Sequence, residues 1–382
     1  MFFVKMPRRL LKMAFLVVAC SILAVSPAFA DSVKDAKLGD LSIYVTGGVK
    51  LSPPFSSEQT QYNVYVNSDI GNVVIKATVA SPEGRLKIND GEVASGADYA
   101  AKLITGENKF EIRVTGFHGA SQKYTLYITR ENIQPVADKF LKAMYTDPET
   151  GATMPYRLFV PENYDPAKAY PLVLFLHGGG ERGSDNEAQV MANQGATVWA
   201  KPEAQAKHPC FVLAPQARNT WDGGFTVTRG EDNKVSLGRV LDVSTDLDMA
   251  EKVLEKVIAT YNIDKNRIYA TGVSQGGFGV WNLNEKYPDL FAAMVPICGG
   301  GDPAQAYKLK NKPIWAFHAE GDPIIPVSYT RNMVSALRAL GSSPLYTEYP
   351  KETYIFPVAH FSWVLAYQTT EMRDWLFAQV KK

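Results

Sequence analysis

Cysteine is scarce, with only Cys20, Cys210 and Cys298 in 382 residues. So few thiols in so long a chain exclude a disulfide-built scaffold. An excess of charge of one sign is also missing. Forty Lys and Arg stand against 39 Asp and Glu, a formal net charge of +1. No basic stripe offers a track for a phosphate backbone, so no nucleic-acid partner is expected. The longest apolar run, Met13 to Val25, falls short of the roughly 20 residues that span a bilayer. No glycine run ends in Gly-Lys-Ser or Gly-Lys-Thr, which excludes a phosphate-binding loop. No spacing of His, Cys, Asp and Glu makes a metal-ligand set, and neither metal nor cofactor is expected.

Residues 1–30 read as a targeting segment. Lys5, Arg8, Arg9 and Lys12 make a basic start, Met13 to Val25 an apolar core, and Ala28-Phe29-Ala30 a small-x-small cleavage site. Cleavage after Ala30 and export to the periplasm or beyond are expected. An ordinary secretory start accounts for Arg8-Arg9 better than a twin-arginine signal. The apolar run continues past Cys20, which argues against a lipidation site. The remaining chain holds 36 Lys and Arg against 39 Asp and Glu, a formal −3, and no transmembrane segment. Cys210 opens one expected strand and Cys298 closes another, at opposite ends of a sheet, so free thiols are expected. The length favours two domains.

From residue 31 to about 132 the chain alternates in short strands broken by Gly, Asn, Asp and Pro. Leu41 to Val45, Tyr62 to Val66, Val73 to Val79, Leu86 to Ile88, Phe110 to Val114 and Tyr124 to Ile128 predict an antiparallel β-sandwich. His118, in a turn, reads as a surface residue. The polar link Glu131 to Lys139 is neither long nor Gly/Ser-rich, which predicts domains that touch.

From 133 to 382 strands alternate with helices. Phe140 to Tyr145 and Tyr156 to Val160 make an expected hairpin. Leu172 to Leu176, Phe211 to Ala214, Arg267 to Thr271, Ala292 to Ile297, Pro313 to Phe317 and Pro344 to Tyr349 read as strands. Helices are expected over Asp246 to Tyr261, capped by Thr245 or Asp246, over Ser328 to Leu340 and over Thr370 to Lys381. The pattern predicts a mostly parallel sheet with helices on both faces, and ligands at the carboxyl ends of its strands.

Those strand ends carry a constellation. In Gly272-Val273-Ser274-Gln275-Gly276 a serine sits between a strand and a helix with glycine on both sides, as a nucleophile elbow requires. A serine hydroxyl needs a base. His360, after the last strand, stands where that base belongs. His318 is near enough to consider, His208 lies at the wrong edge, and His177 belongs to a glycine loop. Asp322, in Glu320-Gly321-Asp322-Pro323, fits as the acid that orients the imidazole, with Glu320 and Asp302 as rivals. The chain order Ser274, Asp322, His360 is that of α/β-hydrolases. His177-Gly178-Gly179-Gly180 exposes backbone N–H groups to a developing oxyanion. Gly179, with Gly180 close behind, and Gln275 are the expected donors. Glu181 and Arg182 read as an ion pair locking that loop, in preference to a pair facing substrate. Residues 221–245 could overhang the site as a short lid, and Trp221 and Trp363 are candidates for an apolar substrate wall.

Leu51 to Ser56, Tyr62-Asn63-Val64, Leu103 to Asn108 and Lys123 to Arg130 resemble the cadherin-like β-sandwich modules of bacterial exported proteins. That resemblance implies an immunoglobulin-like fold and no activity, with a spacer or docking role favoured over sugar binding. Pro155 to Pro161, Leu176 to Asn186, Ala214-Pro215-Gln216, Gly272 to Trp281, Tyr287 to Phe291, Pro296 to Gly300, Gly321-Asp322 and His360 to Trp363 resemble the α/β-hydrolase esterases related to feruloyl esterases and polyhydroxybutyrate depolymerases. This is the phospholipase/carboxylesterase group. The resemblance implies a serine carboxylic-ester hydrolase acting on small-molecule or polysaccharide-linked esters. Peptide hydrolysis by the same triad, or a surface-binding protein with a relict hydrolase domain, are the alternatives. A homo-oligomer stays open.

Overall fold

The structure is a computed structural model that describes residues 36–48, 51–232 and 234–381. The targeting segment and its Ala30 cleavage site lie outside the described residues.

The alternating stretch forms eight strands: β1 (Leu38–Tyr44), β2 (Gln61–Val66), β3 (Asn72–Val79), β4 (Arg85–Ile88), β5 (Gly91–Val93), β6 (Asp98–Lys102), β7 (Gly106–Thr115) and β8 (Ser121–Arg130). Alternate residues of β2 are buried, the period-2 signature of a strand with one face on a core. Two sheets result, ordered β1-β3-β6 and β2-β8-β7-β4-β5. The sandwich is not wholly antiparallel, because β2 runs parallel to β8. The chain crosses from one sheet to the edge of the other between β1 and β2, and that crossover, not a hairpin, sets its direction. The short strands β5 and β6 are largely exposed and carry too little apolar pattern to read from sequence.

The following strands are β9 (Phe140–Thr146), β10 (Thr153–Phe159), β11 (Tyr170–Leu176), β12 (Phe211–Pro215), β13 (Thr226–Arg229), β14 (Val235–Val243), β15 (Ile263–Val273), β16 (Ala293–Ile297), β17 (Trp315–Ala319) and β18 (Leu345–Tyr349). Eight of them form one sheet, β18-β17-β16-β15-β11-β12-β10-β9. It is parallel from β12 to β18, with the expected β9–β10 hairpin antiparallel at the other edge. β11 is buried on both faces. Leu172, Leu174 and Leu176 pack with Leu247, Val253 and Leu254, while Val173 and Phe175 pack with Tyr367, Met372 and Leu376.

The Thr245–Thr260 helix is capped by Ser244, whose Oγ accepts the Leu247 N–H at 3.1 Å. The expected caps, Thr245 and Asp246, do not serve, because the Asp246 carboxylate instead takes Arg218 Nε (2.6 Å) and the Gly224 N–H (2.8 Å). The last helix ends at Phe377, before the expected Lys381. The chain there is drawn to the sheet: the Tyr269 hydroxyl donates to Gln379 O, and the Lys381 N–H donates to Asn266 O. Cys210 and Cys298 are buried free thiols. The sandwich packs on the α/β part. Lys201 pairs with Glu131 at 2.7 Å, and the Phe356 N–H donates to Thr46 Oγ1 at 2.8 Å.

Candidate active site

The parallel strands end in a cleft of about 330 Å³. Ser274 enters it from the turn between β15 and the Gln275–Lys286 helix, with φ 54° and ψ −116°. A non-glycine residue held at positive φ is strained, and such strain persists only where its surroundings over-determine it. Here strand and helix close on each other: a Cβ on Gly276 would overlap the Leu176 carbonyl oxygen. The Ser274 N–H is held by Ile297 O at 3.0 Å and by Cys298 Sγ at 3.2 Å.

His360 lies on a short turn, Ala359–Phe361, beyond β18. Its Nε2 is 2.9 Å from Ser274 Oγ, and its Nδ1 is 2.7 Å from Asp322 Oδ2. A carboxylate facing Nδ1 assigns the ring proton there and leaves Nε2 to accept from the serine hydroxyl. Asp322 follows β17. Its Oδ1 accepts the N–H groups of Ile324 (2.8 Å) and Ile325 (2.9 Å). Burial pushes its carboxyl up, but hydrogen bonds from His318, His360 and the Ile325 N–H prevail and hold it well below the usual carboxylate range.

The other candidates for these roles are placed elsewhere. His318 stands behind Asp322, with Nε2 between Asp322 Oδ2 (3.2 Å) and Ile325 O (3.0 Å). His208 pairs with Asp374 at 2.9 Å. Glu320 faces Arg331, and Asp302 caps the Pro303–Leu309 turn through the Ala304 N–H. His177 is a buried, neutral strut. Its Nε2 accepts the Ala217 N–H at 3.0 Å, so Nδ1 donates to Gly178 O at 2.6 Å. Burial depresses it to about 4.

Gly178, Gly179, Gly180 and Gln275 line the cleft beside Ser274. Arg182 Nε donates to Gly179 O at 3.0 Å, and its guanidinium also reaches Thr220 O and Gly223 O. The expected Glu181–Arg182 lock is therefore not formed: Arg182 binds backbone carbonyls, and Glu181 faces the cleft with Oε2 buried and unpartnered. Burial pushes the Glu181 carboxyl up. The Gln275 side chain ties down the hairpin β13–β14 through Thr226 O and Thr228 Oγ1, each at 2.8 Å. Thr228, Val235 and Leu237 of that hairpin line the cleft, so this part of the expected lid overhangs the site, as an anchored ribbon.

Trp363 lines the cleft, its ring edge-on to His360 with centroids 5.3 Å apart. Trp221 is not brought to it. It sits before the hairpin, 40% exposed and outside the cleft lining. Cys298, Asp322 and His360 offer donor atoms within 4.8 Å of one another. Burial raises the Cys298 thiol well above its ordinary value, its Sγ accepts the Ser274 N–H, and Asp322 and His360 are already bonded to each other, so these groups have the chemistry of support for Ser274 and not of a thiolate-bearing ligand set. Sequence reasoning passed over Asp69, from the sandwich, which also lines the cleft. Asn67-Ser68-Asp69-Ile70-Gly71 reads as any turn between strands, and no local signal marks it.

A family described as a cadherin-like β-sandwich domain matches residues 38–131, and one described as phospholipase/carboxylesterase matches residues 159–354. A crystal structure of a thermostable esterase is 32% identical, with a TM-score of 0.61 over 85% of this chain and 100% of that one. Poly(3-hydroxyalkanoate) depolymerase C of Paucimonas lemoignei is 29% identical over 143 residues, 35% of this chain and 29% of its own length. A probable feruloyl esterase C of Aspergillus terreus is 27% identical over 179 residues, 45% of this chain and 56% of its own. The chain thus spans about a third to about half of the length of these curated relatives. With the strained serine, the hydrogen-bonded triad and the glycine loop in one cleft, this chain belongs to the phospholipase/carboxylesterase family, with a cadherin-like sandwich preceding its α/β-hydrolase fold.

Proposed function

We propose that the protein is an exported serine hydrolase that cleaves carboxylic esters through an acyl-enzyme on Ser274. The observation that carries this reading is the chain of two hydrogen bonds, Ser274 Oγ to His360 Nε2 at 2.9 Å and His360 Nδ1 to Asp322 Oδ2 at 2.7 Å, beside a glycine loop. His360 takes the proton as Ser274 Oγ bonds to the ester carbonyl carbon. The N–H groups of Gly179 and Gln275 hold the resulting oxyanion. When the oxyanion collapses, the bond to the alcohol oxygen breaks and His360 returns the proton to the leaving alcohol. Water, deprotonated by His360, then attacks the acyl carbon and releases the acid and Ser274. Asp322, ionised and fixed by two backbone N–H groups, stabilises the imidazolium in both halves.

Short-chain, carbohydrate-linked or phenolic esters are the substrates in this reading. The cleft is small, and the relatives include proteins named as feruloyl esterases. A panel of p-nitrophenyl esters of rising acyl length, methyl ferulate, an acetylated sugar and a proline anilide tests it. Ester turnover by the wild type that falls on the order of 10⁶-fold in Ser274→Ala is expected. Cleavage of the anilide alone would replace the esterase by a peptidase. Export predicts a mature chain beginning at Asp31, read by intact mass.

A further inference from the structure

The Asp69 carboxylate reaches the catalytic cleft from the other half of the molecule. It sits in the five-residue connection between β2 and β3, and both its oxygens are closed off from solvent without a well-formed hydrogen bond, the side chain and backbone N–H of Gln194 being the donors beside it. Its neighbours Asn67 Oδ1 and Ser68 Oγ are buried and unpartnered as well. Buried polar groups in folded proteins are almost always paired, and each exception asks for a reason. Glu181 also lines the cleft, and its Oε2 is likewise buried without a partner.

The connection is held firmly on both sides. Arg130 donates to Ser68 O through Nε (3.0 Å) and a terminal nitrogen (2.6 Å), and the Leu103 N–H donates to Gly71 O at 2.8 Å. From the α/β part, Lys201 pairs with Glu131 at 2.7 Å and donates to Gln194 Oε1 at 2.7 Å. Lys201 is thus committed to other acceptors, although its charge still lowers Asp69. Burial prevails and pushes the Asp69 carboxyl up to about 7. A carboxyl kept in this position at that cost, with Gln194 beside it but no well-formed hydrogen bond to either oxygen, is suited to a hydrogen-bond donor brought by a ligand.

We propose that the β-sandwich completes the substrate site, and that Asp69, with Glu181, forms an acceptor pair that selects esters carrying an uncharged hydroxyl. A neutral hydroxyl can donate to either carboxyl without bringing a second charge out of water. Apolar side chains, Val235, Leu237 and Trp363, are left to pack against the ester's carbon skeleton. Asp69 is then a specificity-determining residue placed by one module in the site of the other. The inference rests on the ester-hydrolase reading above.

The test uses the full-length mature protein and matched esters that differ only in hydroxyls. On the acyl side these are methyl 4-hydroxycinnamate and methyl cinnamate. On the alcohol side they are 6-O-acetylglucose and tetrahydropyran-2-ylmethyl acetate. The readout is the ratio of kcat/KM within each pair, with the melting temperature recorded beside it. The wild type should prefer the hydroxylated member of one pair, which identifies the side. Measured at pH 8, where a carboxyl pushed up to about 7 is mostly ionised, that ratio should fall about 10- to 100-fold in Asp69→Ala, the worth of a hydrogen bond to a charged group. Asp69→Asn keeps the shape and one acceptor oxygen, so its ratio should fall less, and it serves if the alanine variant does not accumulate. A merely structural role would lower both members together and leave the ratio fixed, which overturns the subsite while the hydrolase stands. Absence of turnover on every ester by the wild type would instead remove the hydrolase reading, and the subsite with it.

Discussion

Asp322 is held more firmly than orienting one imidazole requires. Two backbone N–H groups fix Oδ1, and two histidines converge on Oδ2. Asp322→Asn should leave the fold intact and lower kcat about 10⁴-fold on any ester the enzyme accepts, because an amide stabilises the wrong imidazole tautomer; steady-state kinetics with circular dichroism checks both parts. His177 sets a pH limit of a different kind. Its folded value is about 4 against an ordinary 6.5, so the unfolded chain binds the extra proton first as pH falls. The stability it contributes is complete above pH 6.5 and is lost progressively towards pH 4, on the order of 3 kcal/mol. His177→Gln should flatten the fall of the melting temperature across that window, and a fall as steep as the wild type's would exclude this source.

The turn bearing Ser274 depends on two elements meeting without side chains between them. Gly276→Ala would drive a methyl group into the Leu176 carbonyl. It should cost about 3 kcal/mol, or roughly 6–12 °C in melting temperature, and misplace the serine; thermal melts and kcat together measure it. This arrangement was legible in the sequence, because an apolar strand, a Gly-x-Ser-x-Gly turn and a helical period each leave a local trace and agree with one another. So did the order of Ser274, Asp322 and His360. What was not legible has physical causes. Ser244, Thr245 and Asp246 are all good caps, and only the tertiary claim of Arg218 and Gly224 on Asp246 decides among them. The ribbon β13–β14 is tied down by side chains from a distant helix, Gln275 and Asn282. The place of Asp69 depends on how one folded module sits on another, which no periodicity records.

That seating is itself testable. Lys201 and Glu131 are 13% and 17% exposed, so neither charge is well solvated alone. Lys201→Met or Glu131→Gln singly should destabilise by about 3 kcal/mol, and the double variant by less than the sum, because removing both leaves no orphan charge; a double-mutant cycle by denaturant unfolding measures the coupling, and additive losses would mean that the pair is ornamental. Thr46 and Phe356, with the Tyr44 and Tyr354 rings 6.3 Å apart, make a second seam. The connection between β2 and β3 projects across this junction into the cleft, which bears on how such a gene can be recombined. Swapping the whole sandwich for another would change the enzyme's diet as well as its appendage. Rewriting only residues 67–71 could retune substrate choice while every residue of the α/β sheet stays as it is.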